Sequence, residues 1–100
     1  MASLTIVYWR DIPAQVIVKA GRRSAKRPLA DRFQEAIDRA AMRGGARDTD
    51  AYLAQWRRGD PQPVDGDLEA LADEAASRLE TDYDDARLAR LVATGGAEAA

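Results

Sequence analysis

The chain has 100 residues, 46% hydrophobic and 32% charged, with a formal net charge of −2. That size and balance describe a single globular domain rather than a disordered chain. It contains no cysteine and no histidine, which excludes disulfides, thiolate nucleophiles, His-based triads and most zinc sites.

Residues 3–10, Ser-Leu-Thr-Ile-Val-Tyr-Trp-Arg, are rich in β-branched and aromatic side chains and predict a strand. Asp11-Ile12-Pro13-Ala14 interrupts it, since Asp11 suits a turn and Pro13 fixes φ and removes a donor. Gln15-Val16-Ile17-Val18-Lys19-Ala20 resumes as a second strand, so an antiparallel hairpin is expected, with a connection longer than two residues. Ile12 faces either a helix or a partner.

Residues 21–27, Gly-Arg-Arg-Ser-Ala-Lys-Arg, read as a basic loop before a helix that starts near Pro28 and runs to about Arg43. Leu29, Phe33, Ala36, Ile37 and Ala40 share one face of that helix, and Gly44-Gly45 should stop it. Asp48 or Thr49 can cap a second helix over 50–58, with Tyr52, Leu53 and Trp56 inward. Residues 59–66 read as an extended surface loop. Asp67 then caps a third helix with an apolar stripe at Leu68, Leu71, Ala72, Ala75 and Leu79. It either continues or restarts with Thr81 as cap, and the stripe resumes at Tyr83, Ala86, Leu88, Leu91 and Val92. Gly95-Gly96 ends it.

These elements predict an α+β domain over residues 1–96, an N-terminal antiparallel β-hairpin covered by three or four α-helices. Residues 97–100 should form a frayed tail. Large apolar side chains are few, so the core should be thin.

The run Tyr8-Trp9-Arg10-Asp11-Ile12-Pro13-Ala14-Gln15-Val16 resembles the bacterial virulence-factor domain family, the segment shared with conserved virulence factor C proteins. The likeness continues through Lys26-Arg27-Pro28-Leu29, residues 32–38 and residues 52–59, so it covers about the first 60 residues. It implies no particular reaction and no catalytic residue. It does imply one alternative function, an accessory role in corrinoid- or folate-dependent methyl transfer in methionine synthesis. Relatives in some bacteria are encoded near split methionine synthase and methylenetetrahydrofolate reductase components.

Charge is distributed unevenly. Residues 1–43 hold nine Lys or Arg against four Asp or Glu, and residues 61–100 hold three against ten. The candidate binding residues are Trp9, Arg10 and Asp11 at the hairpin turn, and Arg22, Arg23, Lys26 and Arg27 in the basic segment. Trp and Arg favour interaction hot spots, and a basic segment before a helix attracts anions. Each set also has a plainer reading: Trp9-Arg10-Asp11 orders the hairpin, and the basic segment is a solvated loop. Glu80, Asp82, Asp84 and Asp85 read as a solvated helix face, because their spacing is not that of a calcium loop.

The expected function is therefore that of a small non-catalytic interaction or accessory module with a protein partner or larger complex. An anionic ligand at the basic loop is a further option, and no cofactor is expected. Nucleic acid is disfavoured, since the chain is acidic overall and Tyr8 and Trp9 are needed as core. No apolar run is long enough to span a membrane, so a cytoplasmic protein is expected.

Overall fold

The computed structural model describes residues 2–43 and 48–97. The expected stop at Gly44-Gly45 and residues 98–100 of the expected tail lie outside the described residues. The N-terminal hairpin is present: β1 (Ala2–Trp9) pairs antiparallel with β2 (Ile12–Ala20). Its turn is only Arg10-Asp11, shorter than expected, with Arg10 at φ 54°. The sequence stretch read as an interruption is instead absorbed as a bulge: Val7 faces Gln15, whereas Tyr8 faces Pro13. A bulge tolerates a residue that cannot donate to the ladder, so Pro13 does not break the strand.

The segment expected as a basic loop is β3 (Arg23–Pro28), which pairs with β2 from Ala20↔Arg23 to Gln15↔Pro28. Periodicity missed it because only Ala25 in it is buried. Such a strand survives at a sheet edge, where charge also discourages unwanted pairing. The helix therefore starts later than Pro28, as α1 (Asp31–Arg43), with Phe33, Ala36, Ile37, Ala40 and Ala41 buried. Leu29 is buried ahead of it, its N–H donating to the Ala14 carbonyl at 3.0 Å.

Asp48 caps α2 (Thr49–Ala54), its side chain accepting from the Ala51 N–H at 2.8 Å. The helix stops short of 58. Trp56–Arg58 forms β4 against Val7–Trp9, and Leu53, expected inward, is 57% exposed. The open edge of β1 offers residues 56–58 backbone partners that a lone short helix lacks. The edge also takes part of the expected surface loop, as β5 (Gln62–Val64) pairs with Ala2–Leu4. The sheet order is β3-β2-β1-β4, with β5 also beside β1.

Asp67 caps α3 (Leu68–Asp82) as its sequence predicts, accepting from the Ala70 N–H at 2.9 Å. The helix then breaks at Tyr83. The new cap is Asp84 rather than Thr81, whose hydroxyl donates back to the Ser77 carbonyl inside α3. A hydroxyl one turn from the helix end readily makes that back-bond, and the carboxylate of Asp84 is the stronger acceptor at the next start. α4 (Asp85–Ala93) buries Leu88 and Leu91 and packs beside α1.

Alternation across the strands sorts the sheet. Leu4, Val18 and Ala25 lie in one cross-strand row, and Ile6, Val16 and Arg27 in the next. α3 lies over that side, where its Ala72 and Ala76 join Val16, Val18 and Ala25 in the core. Thr5, Ile17 and Lys26 form a row on the opposite side, next to Ser3, Lys19 and Ser24. Beyond the bulge, Trp9 and Ile12 are fully buried with Phe33, Ile37 and Leu91.

Candidate docking surface

The turn residues are consumed by the fold. The Trp9 ring is fully buried, its Nε1–H donates to the Tyr52 carbonyl at 2.9 Å, and the two rings lie 5.8 Å apart. A buried indole with its N–H satisfied and an aromatic neighbour is a core anchor. The Arg10 guanidinium lies 4.9 Å from the Trp9 ring centre, and its Nη1 donates to the Gly95 carbonyl at 2.6 Å. The Asp11 N–H donates to the Gly96 carbonyl at 2.9 Å. The end of α4 is thereby tied to the first hairpin. Gly96 sits at φ +99°, and a Cβ there would come within 2.9 Å of the Trp9 ring, so glycine is required on both counts.

Arg57, which by its place after Trp56 reads equally as an ordering contact or as part of a recognition patch, completes this knot from β4. Its Nε donates to the Arg10 carbonyl at 2.9 Å and its Nη2 to Asp11 Oδ1 at 3.1 Å, while its guanidinium lies 4.5 Å from the Tyr8 ring centre. The register that places Arg57 opposite Tyr8 exists only because residues 56–58 are a strand. Arg32 carries no signal of its role in the sequence. From the first turn of α1 it donates to the carbonyls of Glu80 and Tyr83, both at 2.6 Å, satisfying acceptors at the end of α3.

The basic segment divides. Arg27 lies on the α3 side of β3 and donates to both Glu69 and Asp73, with its Nη1 also on the Lys26 carbonyl at 2.8 Å. The hydrogen bond to Glu69, followed by that to Asp73, raises its pKa above the ordinary arginine value. Arg22, Arg23 and Lys26 are exposed, as is Lys19 across from Ser24 on β2. Among the described residues none of these four has an acidic partner within ion-pair distance. There is no Asp or Glu anywhere from residue 12 to residue 30. With Ala25 its one buried residue, Arg23–Pro28 carries no alternation that would mark it as a strand.

A cleft of about 560 Å³ opens on the other flank of the sheet, lined by Leu4, Ile6, Tyr8, Arg57, Asp60 and Tyr83 among others. Its lining mixes apolar side chains with charges of both signs, Asp11, Arg57 and Asp60, which suits a small amphipathic group. Among the described residues there is no cluster of three or more potential metal ligands, and no helix is long and apolar enough to cross a membrane.

The fold and these surfaces define an α+β protein; its described residues form a five-stranded antiparallel sheet with four helices and a basic hairpin at one edge. The sequence model of the virulence factor family matches residues 7–92, and the chain belongs to that family. The match spans the turn, the basic strand, α1 to α3 and nearly all of α4, well past the first 60 residues that carry the likeness in the sequence. No curated protein and no solved structure matches the chain.

Proposed function

We propose that the chain is a small, non-catalytic interaction module that docks onto an anionic surface of a protein partner or larger complex through the β2–β3 hairpin. One observation carries this reading: Lys19, Arg22, Arg23 and Lys26 crowd one hairpin with no acidic group within ion-pair distance among the described residues, while Arg27 beside them has two. Concentrating like charge costs stability through repulsion, and an opposing charged surface relieves it. A cytoplasmic location goes with this reading and is checked by cell fractionation.

The test is affinity purification of the intact chain at about 0.05 and 0.3 M salt, which brackets a roughly twofold change in screening length. The triple variant Arg22→Ser, Arg23→Ser, Lys26→Gln is run in parallel. The expected result is a partner enriched at low salt, depleted at high salt and lost with the variant. Recovery of the same protein regardless of salt and of the variant would remove the basis of the proposal.

The cleft favours a second reading, an accessory role in corrinoid- or folate-dependent methyl transfer. Leu4 and Ile6 line the cleft together with Arg57, and apolar side chains beside a guanidinium suit a flat ring carrying a carboxylate. Calorimetric titration with tetrahydrofolate and with cobalamin tests it, and an absence of heat with both counts against it.

A further inference from the structure

β3 ends the sheet. Among the described residues its only strand partner is β2, so its outer edge presents main-chain N–H and C=O groups with no described ladder opposite them. The other edge differs. There β4 and β5 are three residues each, separated by residues 59–61, and β5 carries Pro63. A proline and a gap leave no continuous run to extend. β3 is six residues long, with its first five free of proline. At that edge the Lys26 carbonyl already accepts from Arg27 Nη1, and a carbonyl has a second lone pair for another donor.

Charge decides what can pair there. A second copy of β3 laid against the first would bring Arg23, Lys26 and Arg27 near one another, and like charges on facing strands are destabilising. The same cations suit a strand carrying Asp or Glu. Its acidic side chains would meet Lys26 on one side of the sheet and Arg23 on the other, in the alternation of β3 itself. A nucleic acid meets the charges but has no alternating N–H and C=O to extend the ladder.

We infer that the free edge of β3 takes an extended acidic segment of a protein partner as an added strand. This rests on the interaction-module reading and deepens it, by naming the edge and the conformation of what binds.

The experiment uses the full chain labelled with 15N. The probes are a short end-blocked peptide repeating Glu-Glu-Val-Val, which sets Glu on both faces of a strand, its Lys–Val counterpart, and inorganic polyphosphate. The Glu–Val peptide should shift the amides of residues 23–27, slow their hydrogen exchange, and give cross-strand contacts to β3. The Lys–Val peptide should do neither. The double variant Arg23→Glu, Lys26→Glu, which changes two exposed side chains, should weaken the Glu–Val peptide at least about tenfold. Three results would overturn the inference: shifts centred on the helices or the Arg10-Asp11 turn, affinity indifferent to the double variant, or shifts at β3 without slowed exchange. If polyphosphate and the Glu–Val peptide behave alike with no slowing of exchange, the hairpin collects anions without adding a strand. That result ends the strand inference and leaves the interaction-module reading standing. Loss of salt-dependent partner recovery would end the reading itself.

Discussion

Two arginine-bearing turns of the same sheet meet opposite fates. At the β1–β2 turn, Arg10 is bonded to the Gly95 carbonyl and stacked on Trp9, and Asp11 is paired with Arg57. At the β2–β3 turn, Arg22 and Arg23 are exposed, and among the described residues neither has an acidic group within ion-pair distance. Both turns are short and charged, so local composition does not separate them. What separates them is the next element in space: β4 and the end of α4 close over the first turn, whereas β3 leaves the second at an open edge. A charged turn is structural when a third element supplies its partners and available for binding when none does.

The largest effect should come from Trp9. Trp9→Ala removes a fully buried ring and should cost about 3–5 kcal/mol, a large share of a small domain's stability. Urea unfolding followed by near-UV circular dichroism measures it. A folded Trp9→Ala protein that has lost only its partner would move the first turn into the interface and erase the contrast. Next in size is Gly96→Ala, which places a Cβ against the Trp9 ring at a left-handed φ. It should cost about 1–3 kcal/mol, read as a lower denaturant midpoint at unchanged slope. Arg57→Gln should follow at about 1 kcal/mol, because an exposed ion pair and a ring contact are individually weak. A double-mutant cycle with Asp11→Asn isolates the part carried by the pair. The smallest effect on stability belongs to Arg22→Ser, Arg23→Ser, Lys26→Gln, within about 0.5 kcal/mol per site. The same variant should produce the largest loss of salt-dependent binding.

Part of this arrangement is legible in the sequence. The first hairpin shows as β-branched and aromatic runs on either side of Asp11, and α3 shows as a cap at Asp67 followed by apolar residues at helical spacing. Both signals are local, so local reasoning reaches them. β3, β4 and β5 escape it because they are edge segments stabilised by pairing rather than by their own periodicity. Arg23–Pro28 buries only Ala25, and Gln62-Pro63-Val64 carries a proline that argues against a strand. Trp56 follows Tyr52 and Leu53 at helical spacing, yet the ladder with Trp9 takes it into a strand. At the candidate site, the residue types were legible and their partners were not. Arg27 looks the same as Arg23 until α3 brings Glu69 and Asp73 to one of them.

Hydrogen exchange on the intact chain, free and bound to the partner recovered at low salt, compares the two turns most directly. The expected result is slowed exchange across residues 19–27 on binding, with residues 8–11 already protected in the free chain and unchanged. Protection that appears at residues 8–11 on binding, with residues 19–27 unaffected, would contradict the assignment of the first turn to the fold and of the basic hairpin to the partner.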